Sequence, residues 1–419
     1  MKKVTIILFM FLFIFFNIFA PFTVSYGNNE ETLKEQQEEF GIQDFIKNSE
    51  QYTGEFFEDI DIEEILNNAI QGKVDNSSIV KRILSLLGSE VTNSLKAIGS
   101  ILVIIVIHSI LKSISESLEN DGVSKLIYYV QYILIITIIM ANFSDIVKMV
   151  QDTTTDLVAF MNMLVPILIT LMMYTGSMVT SGVIEPIILF MINFIGNMIQ
   201  NIIIPLVLIF ASLVVISKLS DKVQIDKLSK FLKSGIVWVL GLVLTIFVGV
   251  VSLEGTMSSS VDGITAKATK SLVSSAIPVV GKILSDSVDT VLGCGIILKN
   301  AVGLVGVIIV IGICIMPIIK LATMTLAYKL LTSITEPIAD NKITSLLEQI
   351  GDIFKIFLAI LSTISFMIII GTALVLKISN SRNDVQIKGK QNDRVFKFMG
   401  KRFRFNHCYN FYFRNAITQ

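Results

Sequence analysis

The 419-residue chain carries 34 acidic and 34 basic residues, and apolar residues make up 53% of it against 16% for charged ones. Its mean hydropathy of +0.73 is far above that of soluble globular domains and places the chain in a lipid bilayer. The composition predicts an all-α, polytopic integral membrane protein, and nucleic acid is not an expected partner.

The N-terminus, residues 1–27, has the pattern of a bacterial signal peptide. Lys2 and Lys3 precede an apolar run from Val4 to Phe16, and Ser25-Tyr26-Gly27 offers a small-x-small cleavage site. We expect cleavage there and export of the next segment, with an uncleaved anchor as the alternative.

The exported segment, residues 28–94, begins strongly acidic. Between Asn28 and Glu64 it holds thirteen Asp or Glu against two Lys. Apolar residues then recur at three- and four-residue steps from Ile79 to Leu95, which predicts an amphipathic helix leading into the membrane.

Two groups of apolar runs, residues 95–253 and 302–380, are long enough to cross the bilayer, which takes about 20 residues. The runs are Leu95–Leu111, Leu126–Phe143, Leu157–Tyr174, a composite from Val183 to Ile216, Ile236–Leu253, Val302–Ile319 and Ile353–Leu376. The composite should break at its polar middle and cross twice, because only then does the basic loop Lys218–Lys233 face the cytoplasm. This gives seven or eight crossings.

A candidate internal repeat links the two groups. Pro166-Ile167 is followed by Glu185-Pro186-Ile187, and Pro317-Ile318 is followed by Glu336-Pro337-Ile338, at the same spacing. Weak internal symmetry of this kind is found in transport folds. Chance is the alternative, since Ile is abundant here, and the second copy is too polar after Ala339 for the two copies to be full topological twins.

Few residues offer chemistry. Glu185 and Glu336 precede prolines, which suits the first turn of a helix, and the span count places both pairs on the cytoplasmic side; coupling to a cation or proton is the alternative. Asn193, Gln200 and Asn201 are expected to join helices rather than to line a pore. Catalytic motifs are absent, so neither an enzyme nor a cofactor is predicted.

Residues 254–301 separate the two groups of spans and are too polar to cross, and the span count predicts that they form an amphipathic loop on the exported face. Two amphipathic stripes flank Pro278 and would lie on the bilayer or dock on partner subunits. The candidate docking residues are Leu272, Ile283, Leu284, Val288 and Val291.

This segment resembles the stage III sporulation protein AE family of endospore-forming Firmicutes. The resemblance is carried by Ala276-Ile-Pro-Val-Val-Gly281 and Ser285-Asp-Ser-Val-Asp-Thr-Val291, and the signal sequence and span layout extend it over about residues 1 to 380. It implies a polytopic subunit, without catalysis, of the mother-cell membrane complex that acts as a secretion-like channel to the forespore. A self-contained secondary transporter is the alternative.

The tail, residues 381–419, departs from that pattern. Nine Lys or Arg and two Asp lie between Arg382 and Arg414, interleaved with Phe and Tyr. Out-of-frame reading of AT-rich DNA and a genuine polybasic membrane-surface tail are both open interpretations.

Overall fold

The computed structural model describes residues 30–52, 54–57, 61–71, 76–117, 121–175, 177–219, 227–250, 281–373 and 375–376. Every regular element in these ranges is a helix, so the predicted all-α class is confirmed. Three segments lie outside the described residues: the signal peptide, the stretch 251–280 that contains Leu272, and the basic tail. The predictions made for these segments therefore remain predictions.

Ten helices are described, three short and seven longer. The short ones are α1 (Glu30–Glu39), α2 (Ile42–Ser49) and α3 (Ile62–Ile70). The longer ones are α4 (Asn76–Ser117), α5 (Asp121–Tyr174), α6 (Met178–Met198), α7 (Ile204–Leu219), α8 (Lys227–Val250), α9 (Gly281–Thr335) and α10 (Asn341–Ala373). A π-helical segment, Ile199–Ile203, joins α6 to α7 without a turn.

Within the described ranges, 6 helical stretches are long and apolar enough to cross a membrane. The sequence predicted seven or eight crossings. The difference has two causes. The runs Leu126–Phe143 and Leu157–Tyr174 belong to one helix, the 54-residue α5. The composite run follows one continuous helical path through α6, the π segment and α7, so the expected break and second crossing are replaced by a local widening of the helix.

The hairpin of α9 and α10 forms the core of the bundle, and most of its described side chains are buried. The two helices run antiparallel, with the Tyr328 and Phe354 rings 5.1 Å apart. α5 also runs antiparallel to α9: Gly306 of α9 faces Leu164 of α5, and Gly295 faces Tyr174. The remaining long helices surround this core.

The two ends of the bundle differ in charge. At one, called here the basic end, the Lys112 ammonium pairs with Asp340, the Tyr128 hydroxyl donates to the Lys218 carbonyl at 2.8 Å, and Lys342 lies 5.5 Å above the Tyr128 ring. At the other, called the hairpin end, α5 ends at Tyr174 and α6 begins at Met178; the turn between α9 and α10 lies at the basic end. About 69 Å of helix separates Tyr128 from Tyr174 at 1.5 Å per residue.

Residues 30–70, called here the strap, fold along α5 and α9. The buried Gln36 amide donates to the Tyr174 hydroxyl and to the Val291 carbonyl, both at 3.2 Å. Farther along, the Tyr52 ring lies 5.8 Å from Phe160, and Phe57 packs against Gly312. The strap therefore runs from the hairpin end toward the middle of the bundle.

Local sequence explains why the strap is helical. Asp61 caps α3, accepting a hydrogen bond from the Glu63 backbone N–H at 2.8 Å, and the acids in the first turn suit the positive end of the helix dipole. One face of the strap is apolar and buried, including Phe45, Phe56 and Leu66. Its acidic side chains remain on the outside.

Gln131 of α5 is a buried amide whose nitrogen and oxygen both lack a hydrogen-bond partner. An unsatisfied buried polar group costs about 1–3 kcal/mol. Gln131→Met keeps the shape and removes both polar atoms, so we expect a higher thermal unfolding midpoint in detergent. Gln151→Met, at a half-buried position in the same helix, is the control; an equal gain there would show that the burial of Gln131 is not the cause.

Candidate functional site

A π-helical segment lies at the centre of the path from α6 to α7. Pro205 has no backbone N–H, so the Asn201 carbonyl lacks the bond that an α-helix would supply four residues later. The Ile204 N–H instead reaches back to the Ile199 carbonyl. Such wide turns are common at functional positions in helices.

Amide side chains around this segment bind α5. Asn162 and Asn193 exchange hydrogen bonds: the Asn162 amide donates at 3.1 Å and the Asn193 amide at 2.8 Å. About two turns farther on, the Gln200 amide donates to the Thr155 hydroxyl at 2.7 Å. Interhelical bonds of this kind hold membrane helices together, with about 0.6 kcal/mol each as an average.

The two helices come into close contact between these two bonds. Gly196 faces Val158, and a Cβ at position 196 would lie 2.5 Å from the Val158 Cγ2 atom. A larger residue would push α6 away from α5 and stretch both amide contacts. The glycine therefore permits the hydrogen bonds above and below it.

The polar residues on either side of this contact are exposed, and together we call them the polar seam. They are Asp152, Thr155, Asp156 and Asn162 on α5, and Asn193, Asn197, half-buried Gln200 and Asn201 on α6 and the π segment. Carboxylates and amides are costly in hydrocarbon and occur in membrane helices where they face water or protein. The polar seam therefore faces water or another polar surface rather than lipid tails.

The strap reaches the polar seam at Tyr52. Burial raises the pKa of the Tyr52 hydroxyl, and the negative charge of nearby Asp156 raises it further. Both causes favour the neutral phenol, so Tyr52 is uncharged throughout the physiological range.

The two Glu-Pro pairs lie at opposite ends of the bundle, and the prediction that they share one side is wrong. Glu185 is within α6 near the hairpin end, and Glu336 lies between α9 and α10 at the basic end. The expected role at a helix start also fails. Pro186 lies inside α6, and Asp340, not Glu336, immediately precedes α10.

The repeat is matched only in part. Pro166 and Pro317 both lie inside helices, α5 and α9. Pro337, however, lies in the turn that ends α9, whereas the chain turns before Pro186, at residues 175–177. The hydrophobic similarity therefore does not extend to where the helices end.

The candidate docking residues fall in or before α9. The helix begins at Gly281 and continues to Thr335, so the amphipathic segment after Pro278 is continuous with the next span. Ile283, Leu284 and Val288 lie in the first turns of α9, where side chains are outside the description. Val291 is half-buried, and its carbonyl accepts the Gln36 hydrogen bond from the strap.

The sequence predicts three of the eight residues of the polar seam. Asn193, Gln200 and Asn201 were singled out because they interrupt an apolar run, but their partners on α5 were missed. The signal available was the polar stretch at residues 144–156, which was treated as a gap between two spans. Asn162 stands alone in an apolar run and gave no local signal.

The polar seam has acceptors and donors but no nucleophile placed beside a base. No group of three or more His, Cys, Asp or Glu that could hold a metal occurs in the part of the chain that is described. A groove between α5, α6 and α10, lined by Met161, Val165, Leu168 and Ile188 with Gly371, is apolar and too narrow for a water molecule.

These features define the protein as a multi-pass α-helical membrane protein. The family described as stage III sporulation protein AE matches residues 60–379, more than half of the chain, and the chain belongs to that family. It is similar to stage III sporulation protein AE of Bacillus subtilis (strain 168), with 27% identity over 301 residues, 72% of this chain and 75% of that protein. No solved structure matches the chain.

Proposed function

We propose that the protein is a non-catalytic subunit of a membrane complex that forms a secretion-like channel from the mother cell to the forespore. It would lie in the mother-cell membrane around the forespore and bind other membrane subunits. Family membership supports the sporulation role. The polar seam supports the assembly, because an outward-facing set of carboxylates and amides can bind a polar neighbouring subunit or line a water-filled passage.

The polar seam can serve a channel complex in a simple way. The outer edge of the polar seam is formed by Asn197 and Asn201, and the Asn201 amide donates to the Asn197 side-chain oxygen. Within the described residues, neither side chain makes a hydrogen bond to another helix. Their remaining donors and acceptors are available to a neighbouring subunit or to the water of a passage between subunits.

Substitution of this outer edge tests the proposal. Asn197→Leu combined with Asn201→Leu makes the edge apolar while retaining the Asn162–Asn193 and Thr155–Gln200 bonds. We expect loss of heat-resistant spores at normal membrane abundance, because the polar neighbour loses its partners. Colony counts after heating, with an immunoblot of the membrane fraction, provide the measurement.

A matched control is Ser212→Leu, another exposed polar residue on the same helical path, in α7. Ser212 donates to the Leu208 carbonyl of its own helix at 2.9 Å, and we expect normal sporulation there. Normal sporulation of the Asn197 and Asn201 double variant would contradict the proposal. A secondary transporter would also move its solute when reconstituted alone, whereas the proposed subunit would copurify with other membrane subunits.

A further inference from the structure

The long helices of this bundle are much longer than a bilayer is thick. α5 has 54 residues and α9 has 55, so each is about 80 Å long at 1.5 Å per residue. The hydrocarbon core of a bilayer is about 30 Å thick. Some 50 Å of each helix must therefore lie outside the hydrocarbon.

Charged and polar residues divide α4, α5 and the path from α6 to α7 at a common position. We call this position the polar band: Glu90–Lys96 on α4, Asp145–Asp156 on α5, and Asn193–Asn201 on α6 and the π segment. Between the polar band and the basic end, the uncharged stretches are Lys96 to Lys112, Lys125 to Asp145 and Asn201 to Lys218. These stretches measure about 24–30 Å at 1.5 Å per residue, which matches the hydrocarbon core of about 30 Å.

Exposed apolar side chains are concentrated in the same half. Ile107 and Ile110 on α4, Val130 and Ile133 on α5, and Ile209 on α7 are all 50% exposed or more. Such a continuous apolar surface is what hydrocarbon requires. On the other side of the polar band, the exposed large apolar residues described on α4, α5 and α6 are Leu84, Met173, Val183 and Phe190.

The strap excludes the other half from lipid. It packs along α9 from Val291 to Gly312 and along α5 from Tyr174 to Phe160. Its outer face exposes acids, among them Glu35, Glu39, Asp44 and Glu64, and charged side chains at the bilayer centre are strongly unfavourable. The parts of α5 and α9 beneath the strap cannot be surrounded by lipid.

We propose that only the half of the bundle between the polar band and the basic end lies in the bilayer, and that the half beneath the strap projects from it on the exported face. The hydrocarbon tails of the lipids cover the exposed apolar surface of that half. The apolar runs Leu157–Tyr174 and Val183–Met198 are then the core of a projecting helical domain and not crossings. The basic end, with Lys218 in the last turn of α7, is then cytoplasmic.

Cysteine labelling of matched positions tests this division. In a background with Cys294, Cys314 and Cys408 replaced by Ala, Thr170→Cys and Val183→Cys place thiols on the projecting half. Thr137→Cys and Ile209→Cys are their controls in the lipid half. Thr170 and Thr137 are exposed on the same helix, and each hydroxyl donates to the carbonyl four residues earlier at 2.8 Å.

With a membrane-impermeant maleimide, the thiols at 170 and 183 should be modified in intact protoplasts. The thiols at 137 and 209 should be modified only after detergent is added. Protection of positions 170 and 183 until detergent is added would overturn the proposal, because both would then lie in lipid. Modification of these two only in inverted vesicles would overturn it as well, because the projecting half would face the cytoplasm.

Discussion

Gly312→Ala is expected to release the strap and lower the thermal stability of the protein. A Cβ at position 312 would overlap the Phe57 ring, and a buried aromatic ring cannot move aside as a long flexible chain can. Overpacking of this kind costs about 1–3 kcal/mol, more than the gain of about 0.5–1 kcal/mol from replacing Gly by Ala inside a helix. The measurements are the unfolding midpoint in detergent and proteolysis of residues 30–70.

Gly241→Ala is the matched control, because nothing lies within 4 Å of a Cβ at that position of α8. At position 241 only the higher helix propensity of Ala acts, so the unfolding midpoint should rise or stay unchanged. The two glycine substitutions thus have opposite expected signs. A Gly312→Ala protein as stable as the wild type, with a protected strap, would show that Phe57 does not fill this space.

Asp352→Asn is expected to destabilise the attachment of α8. The Asp352 carboxylate pairs with Lys233 of α8, and Lys355 lies near enough to interact with Asp352, Lys233 and Lys329. Neutralising the carboxylate leaves the Lys355 ammonium near those of Lys233 and Lys329 without a compensating negative charge. Because the pair is partly exposed, the expected loss is about 1–3 kcal/mol, below that of a fully buried pair, and is measured as a lower unfolding midpoint.

Adding Lys233→Met to Asp352→Asn should recover most of this loss, because the uncompensated charge is removed with its partner. Asp145→Asn, at an exposed position on α5, is the control for charge removal alone and should change stability by less than about 0.5 kcal/mol. A double variant no more stable than Asp352→Asn would rule out the ion pair as the cause.

Hydropathy predicted the helical class well because lipid-facing and core-facing helices share an apolar composition. It wrongly predicted two separate spans, Leu126–Phe143 and Leu157–Tyr174, within the single helix α5. The stretch at residues 144–156 is polar, yet the Thr153, Thr154 and Thr155 hydroxyls donate to carbonyls four residues earlier in the same helix. Polarity there changes what the helix can face without ending it, and a hydropathy count cannot separate these two effects.

The strap and the α5 side of the polar seam were beyond sequence reasoning for a different reason. Gln36 and Val291 are 255 residues apart, and Asn162 and Asn193 are 31 apart. Pairings over such distances depend on how whole helices dock. Asn193, Gln200 and Asn201 were identified because their signal is local: amides in the middle of an apolar run.

The central position of the α9–α10 hairpin has a consequence for biosynthesis. The outer helices α4 to α8 leave the ribosome before residues 281–373, which form the core that they surround. At about 5–20 residues per second, a delay of several seconds to half a minute separates Val250 from Ala373. During that interval, nascent α4 to α8 are exposed on faces that the last hairpin will cover, so assembly of the bundle is completed only when the final span emerges.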